Sequence, residues 1–232
     1  MKVQAIEEID ERPHGGDFIA SLLLWLLFVL LLWGIRFLET VMNIDLHWLG
    51  VLPRDVNGLT GILTSPLIHA DFSHLFSNTI PLLVLGIGII YFYRKIAFRV
   101  IAIVFLMEGI LVWLTARPDY HIGASGLNYG FAAFLFLSGI VRRHRGMMAL
   151  SLLIVFLYGG MIWGILPIEN TMSWESHMAG ALAGAVAAVV YRKEGYQFKR
   201  SELEEADEAE DDMPSISSYR EIVPPDRARN SG

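Results

Sequence analysis

Apolar runs of about 20 residues recur along this 232-residue chain and restrict its fold more than any other feature. A helix of that length crosses a hydrocarbon core about 30 Å thick. Five runs have this length and one is shorter but equally apolar; in chain order the six are 18–37, 75–93, 97–115, 125–141, 147–166 and 174–191. Hydrophobic residues make up 54% of the chain and charged residues only 18%, which is unusual for a soluble domain. The sequence therefore predicts an all-α membrane protein with six transmembrane helices.

Lys and Arg residues lie mainly on one side of these spans. They cluster after the second, fourth and sixth spans, at 94–99, 142–145 and 192–200. The other side carries only Arg36, Arg54 and Arg117. Because short cytoplasmic loops are enriched in Lys and Arg, both termini are predicted to be cytoplasmic. The expected location is the inner membrane of a bacterium.

The chain is expected to have three parts. Residues 1–16 form a cytoplasmic segment, whose acidic residues are unlike the basic start of a signal peptide. Residues 17–197 hold the spans, and the connection 38–73 should contain short helices at the membrane interface, since structureless loops of that length are uncommon. Residues 198–232 form an acidic tail that is expected to be disordered.

Several classes of chemistry are excluded by composition. The chain has no cysteine, so it has no disulfide, thiol nucleophile or thiolate metal site. It has no basic stripe of the kind that binds nucleic acid. No cofactor or metal is expected.

Polar side chains are few within the spans, and each needs an explanation because burying one in lipid is costly. Four stand near the starts of even-numbered spans, at similar depth in the outer half of the bilayer: His74, Asn78, Ser125 and His177. At 1.5 Å per residue, the fourth span measures about 25 Å from Ser125 to its inner end, and the sixth about 22 Å from His177 to its inner end. Both lengths are shorter than a hydrocarbon core of about 30 Å. Both side chains should therefore lie below the outer surface. A serine and a histidine at one depth on different helices suggest a nucleophile and its base.

Glycines surround both of these residues. They are Gly123 and Gly126 on either side of Ser125, and Gly180 and Gly184 after His177. The first pair frees backbone amides at a helix N-terminus, where developing negative charge is stabilised. The second pair allows another helix to come close, and the fourth span, with Gly126 and Gly130, is the natural partner.

Other polar residues have different expected roles. His74 and Asn78 are four residues apart on one helical face, and both can donate hydrogen bonds to an anion. Glu108 in the third span is expected to be structural and to accept hydrogen bonds from loop backbone. His121 is expected to orient other groups or bind water near the outer surface.

At these positions the sequence resembles the rhomboid family of intramembrane serine proteases. The matching motifs are His74-x-x-x-Asn78, Gly123-Ala124-Ser125-Gly126 and His177-x-x-Gly180-x-x-x-Gly184, one on each even-numbered span. His69 and Tyr129 also match recurring family residues, and the agreement covers about 18–192. The sequence departs from the family in its first outer loop, which lacks the Trp-Arg pair of many members.

The resemblance implies a six-helix rhomboid-like bundle with a catalytic dyad of Ser125 and His177. It implies an oxyanion site formed by the Ser125 backbone amide, His74 and Asn78. The expected substrates are single-span membrane proteins, cleaved in or near their transmembrane segments and reached through the lipid bilayer.

Three further expectations concern the surroundings of His177. The resemblance implies that the Tyr129 ring packs on its imidazole. Glu175 is not expected to act as a third catalytic member, because residues two apart on a helix do not face each other. The short outer loop 168–173 is expected to cap the site.

Two alternatives stay open at this point. An inactive rhomboid-like protein would keep the fold and bind membrane clients, but such proteins lose the serine or the histidine, and this chain retains both. A metal transporter or metalloprotease would need a cluster such as His69, His74, Glu108 and His177. The chain contains no His-Glu-x-x-His motif, which argues against a metalloprotease.

Overall fold

The computed structural model of the chain describes residues 15–142, 145–167 and 173–194. The chain divides into two units, Met1–Gln197 and Phe198–Gly232. The second unit holds the predicted acidic tail and lies outside the described residues. Residues 1–14 and all of the predicted cap 168–173 except Ser173 lie outside them as well.

Helices account for almost all of the regular structure. In chain order the α-helices are α1 (Gly15–Met42), α2 (Gly61–Thr64), α3 (Phe72–Phe92), α4 (Ala97–Thr115), α5 (Ser125–Arg142), α6 (Arg145–Tyr158) and α7 (Trp174–Val190). Short 3-10 helices occur at His47–Leu49, Val56–Leu59, Ser65–Leu67 and Gly159–Ile165. Five of the six predicted spans each fall on one longer helix, whereas the span 147–166 covers α6 and the 3-10 helix that follows it. The all-α class is confirmed.

Only some of the six predicted spans correspond to described helices that are long enough to cross a membrane. Among the described residues, α1, α3 and α4 are long and apolar enough to cross a membrane. Helices α6 and α7 have 14 and 17 residues, below the usual spanning length. Large apolar side chains such as Phe98 and Phe156 are 66% and 85% exposed, as expected for a surface in contact with lipid. The chain is therefore a membrane protein, while the count of six spans stays a prediction.

Among the described helices, α5 and α7 share the most extensive contact. A methyl group at Gly180 would overlap the carbonyl oxygen of Gly126, and one at Gly184 would overlap that of Gly130. The backbones of the two helices therefore touch directly, as small-residue packing allows. This contact brings the first turns of α5 and α7 together.

The connection between α1 and α3 is folded, and it contains the short helices that its length predicted. Val51 pairs with His121 through two backbone hydrogen bonds of 2.9 Å. The Trp113 indole donates to the Asp55 carbonyl at 2.9 Å, and the Arg54 guanidinium donates to the Ala116 carbonyl at 2.8 Å. These bonds attach the connection to the end of α4 and to the loop that precedes α5.

A cluster of polar contacts lies at the C-terminal end of α5, opposite the end that carries Ser125. Arg142 donates to the Tyr191 carbonyl at 2.5 Å and also to the Glu194 carbonyl. Arg99 forms an ion pair with Glu194 at 2.9 Å, and its guanidinium lies 5.0 Å from the centre of the Tyr191 ring. These contacts join the beginning of α4 to the ends of α5 and α7.

Candidate active site

Ser125 is the first residue of α5 and follows a tight turn. Gly123 has φ +105°, a conformation that side-chain-bearing residues rarely adopt, and its amide donates to the Ser65 carbonyl at 2.9 Å. The Ala124 amide donates to His69 Nε2 at 3.3 Å. The turn therefore fixes the serine at a helix N-terminus, where backbone amides have no partner within the helix.

His177 lies in the first turn of α7, one turn after the N-cap residue Ser173. Its Nε2 is 2.9 Å from Ser125 Oγ, and its Nδ1 is 2.8 Å from the Gly164 carbonyl oxygen. A carbonyl can only accept, so Nδ1 carries the hydrogen and Nε2 of the neutral ring has a lone pair directed at the serine hydroxyl. This tautomer is the one that a general base requires.

Tyr129 stacks on the imidazole, as the resemblance implied. The ring centroids of Tyr129 and His177 are 4.2 Å apart, and the planes are inclined by 10°. The Tyr129 hydroxyl donates to the Met161 carbonyl at 2.6 Å. The 3-10 helix Gly159–Ile165 thus binds both rings, since it supplies the carbonyls of Met161 and Gly164.

His74 and Asn78 have different positions relative to Ser125. A methyl group at Gly123 would lie 2.7 Å from His74 Cε1 and 2.9 Å from Nε2, so this imidazole borders the nucleophile turn. Asn78 is buried, and it donates to the His74 carbonyl at 2.9 Å while its Oδ1 accepts from Asn128 at 2.9 Å. One of its two amide hydrogens is therefore already used within α3.

A cavity of about 480 Å³ is lined by both Ser125 and His177. Its lining includes His74, Ser125 and His177, together with exposed rim residues such as Asp71 and Asp119. A cavity of this size holds several water molecules. His177 is buried and Ser125 half-buried, and water can reach both through the cavity, as peptide hydrolysis would require.

His69 contacts the turn at Gly123 and Ala124 that precedes Ser125. It is 1% exposed, and its Nε2 accepts the Ala124 amide hydrogen. Burial, with smaller contributions from the neighbouring His74 and Arg36, lowers the pKa of His69 to about 3. The ring is therefore neutral at physiological pH, which leaves Nε2 free to accept.

Glu108 has a different partner from the one expected. Its buried carboxyl group is hydrogen-bonded to the Ser176 hydroxyl on α7, not to loop backbone. The carboxyl group also fills the space beside Gly126, where any side chain would overlap its Oε1 atom. Glu108 therefore lies at the junction of α4, α5 and α7, a position that the sequence did not reveal.

Glu175 does not bind the His177 imidazole. Its Oε1 atom lies 3.6 Å from the Nε atom of Arg117. Among the described residues, no group of three or more His, Asp or Glu side chains is arranged to hold a metal ion. The ligand cluster required by the metal-dependent alternative is therefore not assembled in that part of the chain.

The Rhomboid domain model matches residues 56–194, which span helices α2 to α7 and every predicted site residue. This chain belongs to the rhomboid family. An uncharacterized protein of Mycobacterium tuberculosis (Rv1337) is 36% identical to this rhomboid protein over 190 residues, which cover 77% of each chain. One of Mycobacterium leprae (ML1171) is 36% identical over 174 residues, which cover 70% of this chain and 68% of the relative.

Several residues of this rhomboid site were missed by sequence reasoning. Asn128 was detectable, because an amide inside an apolar span is a costly residue that needs a reason. The carbonyls of Gly164 and Met161 were not detectable, since a backbone acceptor has no signature in the sequence. Ser173 and Ser176 are residue types common at the start of a helix, so the sequence did not single them out. Only the fold shows that Ser173 contacts His121 and that Ser176 contacts Glu108.

Proposed function

We propose that this rhomboid protein is an intramembrane serine endopeptidase. The single observation that carries the proposal is the 2.9 Å separation of Ser125 Oγ and His177 Nε2 inside a water-accessible cavity. The Gly164 carbonyl strengthens it by holding the tautomer in which Nε2 can accept a proton. A serine and a histidine paired in this geometry are typical of nucleophilic catalysis.

The proposed reaction has two halves. Ser125 Oγ bonds to the scissile carbonyl carbon while its proton passes to His177 Nε2, and the carbonyl oxygen becomes an oxyanion. The C–N bond then breaks, the leaving amine takes the proton from His177, and an acyl-enzyme remains. A water molecule gives a proton to His177 as its oxygen attacks the ester. Collapse of that intermediate returns the proton to Ser125 and releases the new carboxyl end.

The oxyanion is proposed to bind the Ser125 amide, His74 and Asn78. The amide lies at the N-terminus of α5, and the His74 ring borders the same turn. Asn78 would use its second amide hydrogen, because the first is bound to the His74 carbonyl. Loss of one such donor costs about 3–4 kcal/mol of transition-state stabilisation in other hydrolases.

The proposed substrates are single-span membrane proteins that reach the cavity sideways through the lipid bilayer. A helix hides its scissile carbonyls in backbone hydrogen bonds, so it must unwind locally before attack. Substrates with Gly or Pro near the cleavage site should therefore be preferred. We place the enzyme in the bacterial inner membrane, with both termini cytoplasmic and the dyad toward the outer face, which agrees with its charge distribution and its mycobacterial relatives.

Coexpression with a panel of tagged single-span substrates tests the proposal. The intact chain should release a cleaved fragment and react with a fluorophosphonate probe, whereas Ser125→Ala and His177→Ala should lose cleavage by about 10³-fold or more. Ser138→Ala, on the same helix but away from the dyad, is the matched control and should label normally. Activity that survives a strong chelator would exclude the metal-dependent alternative.

The opposite result would favour the inactive alternative. A folded protein that neither labels nor cleaves, yet copurifies equally well with the same substrates before and after Ser125→Ala, would be a rhomboid-like binder of membrane clients.

A further inference from the structure

The nucleophile and the base reach the cavity on two separate chain segments. Residues 116–124 form the loop that leads into Ser125, and Ser173 begins the segment that leads through α7 to His177. The Ser125–His177 separation therefore depends on how firmly this loop holds the start of α7. Four polar side chains connect the two segments: Arg117, His121, Ser173 and Glu175. We name this group the outer clasp.

His121 makes the first connection of the outer clasp. Its Nδ1 lies 2.5 Å from Ser173 Oγ, and its Nε2 lies 3.1 Å from the Arg117 carbonyl oxygen. Because the carbonyl can only accept, Nε2 carries the hydrogen, and Nδ1 of a neutral ring accepts from the Ser173 hydroxyl. Burial lowers the pKa of His121, which favours this neutral ring. The imidazole thus joins its own loop to the N-cap of α7.

The ion pair of Arg117 and Glu175 makes the second connection. The Arg117 Nε atom and the Glu175 Oε1 atom are 3.6 Å apart, and the carboxylate side chain is only 8% exposed. Removing the partner of a carboxylate that is this deeply buried leaves a charge that water cannot fully solvate. The pair therefore resists separation of the loop from α7.

The outer clasp continues inward behind the dyad. Ser173 Oγ lies 2.8 Å from Ser176 Oγ, and the Ser176 hydroxyl is hydrogen-bonded to Glu108 on α4. Glu108 in turn packs against Gly126, the residue after the nucleophile. A continuous series of polar contacts thus runs from the cavity rim to the start of α5.

We propose that the outer clasp consists of positioning residues, which set the distance between Ser125 and His177 without touching the reacting atoms. This inference rests on the proposed protease function. A displacement of about 1 Å between reacting groups can cost about 100-fold in rate, so loosening the clasp should slow acylation even in a folded protein.

Charge exchange between Arg117 and Glu175 is the decisive test, made in the full chain in membranes. R117E and E175R alone should each reduce the rate of fluorophosphonate labelling at Ser125 by about tenfold or more. The exchanged double variant should recover to within about threefold of the original chain, because the ion pair can form again in reverse. Ser173→Ala should slow labelling similarly, and Ser173→Thr, which keeps the hydroxyl, should restore most of the rate.

The matched control is the exposed ion pair Arg99–Glu194 at the opposite end of the bundle, whose side chains are both 52% exposed. R99E and E194R should leave labelling within about twofold of the original rate, because exposed pairs contribute little. Normal labelling in the single clasp variants, or a double variant as slow as the singles, would overturn the positioning role.

Thermal unfolding separates this proposal from the protease proposal. The single clasp reversals should lower Tm by about 2–4 °C, and the exchanged variant should recover at least half of that loss. If the original chain is folded but never labels, the protease proposal fails, and the Tm measurements still decide whether the clasp exists. Strictly additive Tm losses would then refute the clasp.

Discussion

His177 has a different partner on each ring nitrogen, and neither partner is a carboxylate. The Gly164 carbonyl fixes the tautomer through Nδ1, but it carries only a partial charge. The stacked Tyr129 ring, 4.2 Å away, restricts the rotation of the imidazole. In this chain, orientation of the base therefore depends on an aromatic face and a backbone oxygen.

The two functions of Tyr129 can be separated by substitution. Tyr129→Phe keeps the stacked ring but loses the 2.6 Å hydrogen bond to Met161, so kcat should fall about two- to tenfold, the worth of one neutral hydrogen bond. Tyr129→Ala also removes the ring, and labelling of Ser125 should slow by at least about tenfold. Equal rates for the two variants would show that stacking has no part in orienting His177.

His69 should make the stability of the protein depend on pH. Its pKa is near 3 in the folded state and about 6.5 in the unfolded chain, so between these values the unfolded state binds more protons. The free energy of unfolding should therefore fall as the pH drops below about 6.5, by up to about 1.4 kcal/mol per pH unit from this group.

His69→Gln tests that assignment, because its side-chain oxygen can accept from the Ala124 amide and does not titrate. Thermal unfolding of both proteins between pH 7 and pH 4.5 should give a flatter dependence of Tm on pH for the variant. Identical slopes would mean that His69 is not the titrating group.

Site residues were predictable from the sequence where their polar side chains lie in apolar spans, because burying such side chains is costly. Ser125 and His177 stood out because polar side chains are rare in apolar spans. Gly164 did not stand out, because the group that matters there is a main-chain oxygen brought into place by folding. The expected backbone partner of Glu108 was wrong for a related reason, since only the packing of α4 on α7 reveals Ser176 beside it.

At the scale of elements, the 3-10 helix Gly159–Ile165 contacts the proposed base, and nothing in its sequence indicated this. It contacts both Tyr129 and His177 although it belongs to neither of their helices. We therefore expect its geometry to affect the proposed activity as well as packing.

Gly164→Ala tests this element directly. The added methyl group would overlap the Tyr129 hydroxyl and lie 3.1 Å from His177 Nδ1, so the segment would have to move away from the imidazole. Labelling of Ser125 should fall by about tenfold or more in a protein that remains folded. Gly160→Ala is the matched control in the same segment, since nothing lies within 4 Å of its added methyl group. Equal labelling of the two variants would contradict the assignment.

Helix positions were well predicted from apolar runs, and helix ends less well. Helix α1 continues to Met42, five residues past the predicted end of its span, and Glu39 finds polar partners there: its carboxylate pairs with Arg36 at 3.4 Å and accepts the Leu46 amide at 3.2 Å. These contacts accommodate a charged side chain in the last turn of a helix that stays apolar as far as Met42. The single-turn helix α2 was foreseen only as one of several short helices in the loop.

For the whole molecule, orientation in the membrane is the main prediction from charge. The absence of cysteine makes it testable in the full chain with single substitutions. Asp119→Cys, at the cavity rim, should react with a membrane-impermeant maleimide in intact cells. Lys95→Cys, in the connection between α3 and α4, should react only after the cells are opened. The reverse pattern would place the dyad toward the cytoplasm.

The direct contact of α5 with α7 has a consequence for how this protein can diversify. No side chain stands between the two backbones at Gly126, Gly130, Gly180 or Gly184, so there is no volume there for selection to enlarge or trim. The contact therefore limits how closely α5 and α7 can approach, and the outer clasp is left to adjust the remaining separation of Ser125 and His177. Any side chain introduced at Gly180 or Gly184 would act as a wedge between the two backbones, because its Cβ atom would overlap a carbonyl oxygen of α5.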